Sequence, residues 1–339
     1  MQTPITILAL YDIGTVHKME QLHSGIIHET WKVEAASEYY ILQRVSPIFG
    51  STVMEDIDTV LCFLQANGCY TMEIIRTQSR DLLVFDGDRF WRLFSYVSGV
   101  VHETASAPSI AYSAGKLLGT YHCILQRLQY KFKHVRSIKH NIPLLFEKYK
   151  QTVNKNTDPE VAKLLPTIEL LPALDLPKSF RKTINHGDPK ISNFIFSQDG
   201  TIARTMVDFD DCGDQYNVLY ELGGAFRSWC RIKSSNGDVF SLPNFEAGLQ
   251  GYCDGASDFL QDEEWELLAQ AVTLIPLELA SRFVRDIFED SYFDWDRVKY
   301  PSRKAHNLDR AQGQVALYHD IVKQEKEIRD IIQKVRKHI

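Results

Sequence analysis

Asp188 and Asn193 stand five residues apart in the run Ile184-Asn185-His186-Gly187-Asp188-Pro189-Lys190-Ile191-Ser192-Asn193, and a second acidic cluster, Val207-Asp208-Phe209-Asp210-Asp211, follows. A carboxylate and an amide at this separation can share one loop, with the carboxylate beside an acceptor hydroxyl and the amide oxygen on a magnesium ion. Between the clusters lie Phe194-Ile195-Phe196, the dipeptide Asp199-Gly200 and the apolar-rich stretch 202–207. Asp-Gly readily takes the positive φ angles of a tight turn, so a β-hairpin is expected. Its return strand would bring Asp208 back to Asn193 and give a hard cation the oxygen ligands it prefers. Lys190 can carry its ammonium to a γ-phosphate, where charge builds up, and His186 is expected to order the loop. The chemistry implied is phosphoryl transfer from ATP, with Asp188 as base and Asn193 and Asp208 as ligands of Mg2+. Either motif alone is weak, because His-Gly-Asp is common in turns and Asp-Phe-Asp-Asp in solvated loops. Their order and spacing carry the inference.

Such a loop needs a nucleotide-binding partner, and the first hundred residues have the pattern of one. Apolar runs at 16–22, 27–33 and 39–45, separated by Ser24-Gly25 and by Ala35-Ala36-Ser37, predict an antiparallel meander. Val53, Ile57, Val60, Leu61 and Leu64 then fall on one helical face. A second hairpin is expected at 82–85 and 90–96 around Asp86-Gly87. This is the element order of a kinase amino-terminal lobe. Leu42 and Arg44 share one side of their strand, which makes Arg44 a candidate to grip the α- and β-phosphates with Glu55 as its ion-pair partner. The alternative is an exposed surface pair of little energetic consequence. Gly25 could form the tip of a loop over the phosphates. Tyr96 and Val97, leading into Ser98-Gly99, are expected to form the hinge that meets adenine.

The remainder is predicted to be mostly helical. Ile110, Ala114, Leu117, Leu118, Tyr121 and Leu125 trace one buried stripe, and Trp265, Leu268, Val272 and Ile275 begin another, capped at Asp262 and kinked at Pro276. A last helix is expected from about Asn307 to Ile339. The fold class is therefore α+β, in two lobes: an antiparallel-sheet N-terminal lobe over residues 1–97 and a helical C-terminal lobe over 98–339.

Composition sets the boundaries of function. A chain of 339 residues suits two cores rather than one, and 24% charged with 44% hydrophobic residues does not predict disorder. The net charge of −6 argues against a nucleic-acid-binding surface. Six cysteines with no CxxC pair point to reduced thiols of a cytoplasmic protein. No signal peptide and no membrane span are expected, since the N-terminus lacks a basic segment and no run of eighteen or more apolar residues occurs.

His186, Gly187, Asp188, Asn193 and Asp208 resemble the catalytic motif of the aminoglycoside phosphotransferase and choline kinase-like superfamily. Within it the chain looks closest to the N-acetylhexosamine 1-kinases, through Tyr40-Ile41-Leu42-Gln43-Arg44-Val45, Ser281-Arg282-Phe283-Val284-Arg285-Asp286 with Tyr292-Phe293, and Asn307-Leu308-Asp309-Arg310-Ala311-Gln312. The resemblance implies a two-lobed protein-kinase-like fold and ATP with Mg2+ as cofactors. It also implies a small-molecule hydroxyl acceptor, a sugar, deprotonated at its anomeric hydroxyl by Asp188 and bound by Arg282. An ion pair between Arg282 and Asp286, one helical turn on, is the alternative for that arginine. Two departures stand out: Gly25-Ile26-Ile27-His28-Glu29-Thr30 replaces the family's usual Gly-His-Ile-Asn-Asp-Thr, and Gly187 stands where those kinases can carry Asn. An aminoglycoside or choline-type amino alcohol remains open as acceptor, with Asp254, Asp258, Asp262, Glu263 and Glu264 as an acidic surface for a polycation. A nucleotide-binding regulator without catalysis is the rival from another class. The oligomeric state is not legible in the sequence.

Overall fold

Alternation along four strands builds the N-terminal sheet and gives it two unlike faces. In the computed structural model, which describes residues 3–22, 27–135, 139–234 and 237–338, a short helix α1 (Pro4–Leu8) precedes the meander β1 (Val16–Leu22), β2 (Glu29–Ala35) and β3 (Glu38–Arg44). Helix α2 (Val53–Ala66), strand β4 (Ile74–Ile75) and the hairpin β5 (Val84–Asp86) and β6 (Arg89–Ser95) complete this lobe. All pairings are antiparallel, in the order β1-β2-β3-β6-β4, with β5 on β6. One face buries Trp31, Val33, Leu42, Trp91 and Leu93 against Ile7, Leu8 and Tyr11. The other carries Val45, Phe90 and Phe94 against Val53, Ile57 and Leu61 of α2. Full burial of a side chain such as Ile57 contributes about 1.5–3 kcal/mol. The parity of each strand is therefore firmly set.

After the hinge, β7 (Val100–Val101) pairs with β8 (Phe194–Phe196), which pairs with β9 (Ala203–Met206), so the expected hairpin gains a third strand from a distant segment. Gly200 turns the hairpin at φ +75°, and Asp199 Oδ1 accepts from the Thr201 N–H at 3.1 Å.

The rest is helical: α3 (Pro108–Leu125), α4 (Ile142–Val153), α5 (Pro159–Ala162), α6 (Leu165–Ile168), α7 (Val218–Trp229), a small ribbon of β10 (Arg231–Ile232) and β11 (Val239–Phe240), then α8 (Leu242–Ala256), α9 (Asp262–Glu289), α10 (Arg303–Lys323) and α11 (Glu325–Arg336). Helices α3 and α8 meet backbone to backbone. A Cβ on Gly115 or Gly119 would strike the carbonyl of Gly248 or Tyr252, and one on Gly251 or Gly255 the carbonyl of Tyr112 or Lys116. Helix α9 is long and apolar enough to cross a membrane, but 72% of that stretch is buried inside the protein, packed with α4, α7 and α10.

Two details differ from the sequence expectation. Helix α9 is capped by Gln261, with the Glu264 carboxylate accepting from the Gln261 N–H at 2.9 Å, rather than by Asp262. The last helix divides at Gln324 into α10 and α11.

Candidate functional site

The loop from Asn185 to Asn193 is held almost atom by atom. Asn185 exchanges backbone hydrogen bonds with Gly213, at 2.9 and 3.1 Å, which ties the loop to the stretch after Asp208. The carboxylate of Glu221, on the first turn of α7, accepts the backbone N–H groups of His186 and Gly187, each at 2.9 Å. Burial pushes that carboxyl up to about 7, opposed by the two amides and by Lys139. His186 is 2% exposed. Its Nε2–H donates to the Val207 carbonyl at 3.0 Å and its Nδ1 accepts from the Asp188 N–H at 3.3 Å. Burial lowers its pKa to about 4, so the ring is a neutral brace between the two motifs, as its expected ordering role requires. Gly187 sits at φ +91°, and a Cβ there would collide with the Asp211 carbonyl. This is the physical reason for glycine in this loop. At its far end the Ile191 N–H donates to Ser228 Oγ at 3.0 Å and the Trp229 indole donates to the Pro189 carbonyl at 2.9 Å.

Fixed in this way, Asp188 keeps about a third of its side chain (37%) open to the cleft. Burial pushes its carboxyl up, but the ammonium groups of Lys190 and Lys139 more than offset this, and it lies below the usual carboxylate range. It is ionised at neutral pH. Lys190 Nζ lies 3.1 Å from Asp188 Oδ2 and 3.8 Å from Asp208 Oδ2, and its pKa is raised, chiefly by Asp188. Asn193 is 4% exposed and donates its amide to the Asp188 carbonyl at 2.8 Å. The structure thus brings Asp188, Lys190, Asn193 and Asp208 together, in the arrangement their spacing predicts.

Asp208 adopts left-handed backbone (φ +69°, ψ 56°), a strained conformation for a non-glycine residue and one found often at functional sites. One ligand atom each from Asp208, Asp210 and His28 lie within 4.8 Å of one another. Burial raises the Asp208 carboxyl to about 6, with Asp210 and Asp188 adding to the shift and Lys190 opposing it. Crowded, desolvated carboxylates of this kind suit a hard divalent cation, so the donor set fits magnesium.

The N-terminal lobe reaches this cluster by a route the sequence reading did not find. Leu42 and Arg44 do share a face, but it is the one turned away from α2. There Arg44 pairs with Asp86 at 3.2 Å and Glu29 at 3.7 Å. Glu55 pairs with Lys133 instead, so the expected Arg44–Glu55 pair does not form. The opposite face carries a row across three strands: Thr30 opposite Gln43 and Gln43 opposite Arg92. Gln43 donates to Thr30 Oγ1 at 3.2 Å and accepts from Arg92 Nε at 2.9 Å. Arg92, 2% exposed, then forks across to Asp210 with bonds of 2.6 and 2.7 Å. Burial pushes the Asp210 carboxyl up, while Arg92 and His28 pull it well below its ordinary value. His28 accepts from the Ser46 N–H at its Nδ1, 3.1 Å, and points its Nε2 at Asp210, 3.5 Å away. One signal was present: Arg92 alternates with Phe90 and Phe94, which placed it on the inward face. A buried acid inside the apolar run Val218-Leu219-Tyr220-Glu221-Leu222 likewise marked Glu221.

Among the other expected residues, Gly25 lies outside the described ones. In the segment expected to form the hinge, Tyr96 spends its N–H on the Tyr39 carbonyl at 2.9 Å, and Val97 is buried at 5% exposure. Arg282 makes no ion pair with Asp286. That carboxylate accepts the N–H groups of Ser291, Tyr292 and Phe293 and the amide of Asn307. Arg282 instead lies 5.4 Å from the ring centroids of Tyr292 and Phe293 and lines a cavity of about 270 Å³. Lys139 borders the same cavity and bonds to the Gly187 carbonyl and to Asp211, so the cavity adjoins the catalytic loop. A larger hollow of about 750 Å³ on the flank of the N-terminal lobe, beside Arg76 and Leu82, contains neither Asp188 nor Asp208.

A sequence profile of the phosphotransferase enzyme family matches residues 18–252. Among solved structures, the fold is similar to an amicoumacin kinase in complex with AMP-PNP, Ca2+ and Ami (TM-score 0.66, 16% identity, 96% of this chain and 92% of that one). It is similar also to a microcompartment-associated aminopropanol kinase (TM-score 0.67, 17% identity, 94% and 97%). A third likeness is to choline kinase from Cryptosporidium parvum Iowa II (TM-score 0.58, 13% identity, 94% and 91%). At these identities the likenesses establish the two-lobed, protein-kinase-like fold. With its Asp188, Asn193 and Asp208 loop intact, and matched by the family profile over more than half its length, the chain belongs to the phosphotransferase enzyme family.

Proposed function

We propose that the protein is an ATP-dependent small-molecule kinase that transfers the γ-phosphate to a hydroxyl of its acceptor. The observation that carries this is the ionised, cleft-facing Asp188 with Lys190 at 3.1 Å, on a loop whose backbone is held by Glu221. Asp188 orients the acceptor hydroxyl and takes its proton. Lys190 lies where its ammonium meets charge developing on the transferred group. Asp208 and Asn193, with Asp210 beside them, would hold magnesium, which when bound neutralises the nucleotide phosphates. Arg92 is a positioning residue: it anchors Asp210 from the other lobe. The hinge at Tyr96 and Val97 is the proposed adenine contact. We place the division between the lobes at residue 97, with Arg92 on one side of the cleft and Asp188, Lys190, Asn193 and Asp208 on the other. The six free thiols agree with a reducing, cytoplasmic setting.

For the acceptor we favour a hydroxyl-rich, sugar-like molecule, with the N-acetylhexosamines as first candidates. Arg282 supports this by offering a rigid fork of donors in the cavity beside the loop. The similarity in fold to amicoumacin and aminopropanol kinases keeps an amino-alcohol acceptor as the second reading. ADP release with MgATP across N-acetylhexosamines, hexoses, aminoglycosides and amino alcohols, with Asp188→Asn as blank, tests both. Turnover of a sugar with an acid-labile product phosphate supports the first reading, and turnover of amino alcohols alone replaces it with the second. A wild-type rate equal to the blank on every acceptor, together with no stabilisation by MgATP, removes the kinase assignment.

A further inference from the structure

The charges around the acceptor cavity are not those of a neutral site. Three of its walls carry Lys139, Arg282 and Arg285, and the one carboxylate that lines it, Asp286, is spent on three backbone amides and Asn307. Lys139 is neutralised by Asp211 and Arg285 by Glu289 at 2.9 Å. Arg282 has no carboxylate within ion-pair distance among the described residues. Its charge falls on Glu278, but that acid is buried and already bound by His140 at 2.8 Å.

A second arginine stands in the same state. Arg227 directly precedes Ser228 and Trp229, the residues that hold Ile191 and Pro189 of the catalytic loop, and it has no ion pair among the described residues. Burial, Arg231 and Arg282 pull its guanidinium down to about 10, and the charge of Asp188 opposes them. Arg231 itself is taken by Asp238. Two guanidinium groups close enough to repel each other thus lack acidic partners, Arg282 on the cavity wall and Arg227 within the field of Asp188. Neighbouring cations without counter-charges repel each other, and an anion bound between them relieves that cost. Guanidinium forks match carboxylate and phosphate geometry. Three of the five acids named for a polycationic acceptor are engaged elsewhere: Glu264 is buried with Arg181 and Asn217, Asp262 pairs with Arg336 and Asp254 accepts from Tyr112.

We infer that Arg282 and Arg227 form an anion subsite, so that the acceptor carries a carboxylate or phosphate in addition to the hydroxyl that is phosphorylated. This rests on the kinase reading above and, within its sugar-like acceptors, favours acidic or phosphorylated members over the neutral N-acetylhexosamines. The anion is not consumed: it docks on the two arginines, and the hydroxyl is turned to Asp188.

The test uses sets matched in skeleton and different in charge: glucose, glucuronate, glucose 6-phosphate and glucosamine, and glycerol, glycerate and aminopropanol. Binding is measured calorimetrically with Mg2+ and AMP-PNP present, and turnover by ADP release. The expected result is at least tenfold tighter binding of an anionic member than of its neutral parent. Arg282→Ala and Arg227→Ala should lose that preference and Arg282→Lys should keep part of it, with the KM for ATP unchanged. Glucuronate and glycerate against glucose 6-phosphate then separate carboxylate from phosphate. Equal binding across charge, tighter binding of the amines, no binding of any anion, or a rise in ATP KM as the main effect of Arg282→Ala would overturn the subsite. None of these outcomes touches the kinase reading, whose failure would appear as loss of MgATP stabilisation in the wild-type protein.

Discussion

The catalytic loop and the inward face of the N-terminal sheet serve one cleft but are built in opposite ways. The loop is pinned by neighbours bonded to its backbone: Glu221 takes two amides, His186 braces Val207, and Trp229 and Ser228 hold Pro189 and Ile191. The sheet contributes a relay of side chains, Thr30 to Gln43 to Arg92, ending on Asp210 in the other lobe. Chemistry held through backbone tolerates few changes of shape but survives changes of charge nearby. Chemistry held through a buried ion pair does the reverse. Once Arg92 is removed, Asp210 is a buried charge with no strong partner.

Four measurements would break or sharpen this contrast. The largest effect belongs to the loop's proposed base: Asp188→Asn should lower kcat by about 10²–10⁴, the usual contribution of a positioned base. Stabilisation by MgATP should persist, and unchanged kcat would sink the assignment. Next, Arg92→Ala should cost about 3–5 kcal/mol in urea unfolding, as for other broken buried pairs, and should raise the KM for ATP. Arg44→Ala should lower stability without touching that KM, and an equal KM effect in both variants would erase the distinction between the two faces of the sheet. Gly187→Ala should destabilise by about 1–2 kcal/mol from left-handed backbone alone, with added cost from collision with Asp211. Wild-type stability of this variant by thermal melting would contradict the shape argument.

The last measurement is of pH. His186 and His122 are buried and neutral, with pKa values lowered by burial to about 4 and about 3. Below about pH 6.5 the unfolded chain protonates both histidines and the folded protein does not, so the unfolded state binds more protons and stability falls as pH falls. The slope contributed approaches about 1.4 kcal/mol per pH unit for each histidine between pH 6.5 and 4. Unfolding midpoints measured across that range should drop, and His186→Gln should flatten the slope.

The catalytic loop was legible because its parts lie within thirty residues and a hairpin closes them. The sheet was legible as a set of strands but not as a set of faces. Leu42 and Arg44 were correctly placed on one side of β3. Which side faced α2 depended on Ile41 and Val45 packing inward, and that is a tertiary fact. Choosing the wrong side exchanged Arg92 for Arg44 and paired Glu55 with the wrong cation. Lys139 reaches the site from a segment with no motif of its own, so only the fold assembles it. The division at Gln324 had no glycine or proline to announce it, since it is set by contacts such as Gln324 Nε2 to the Phe240 carbonyl at 3.1 Å. The third strand of the small sheet, β7, is a two-residue piece below the reach of periodicity.

The seam of α3 and α8 has a kinetic meaning. Most helix contacts loosen by rotamer exchange, one side chain at a time, but glycine facing a carbonyl has no rotamer to exchange. These two helices therefore leave the native state together or not at all. In a native-state hydrogen-exchange experiment the central amides of α3 and α8 should share one opening free energy, at the high end of the molecule's range. The floor of the C-terminal lobe would then be its last element to yield, and slow unfolding of the protein would be timed by that single separation.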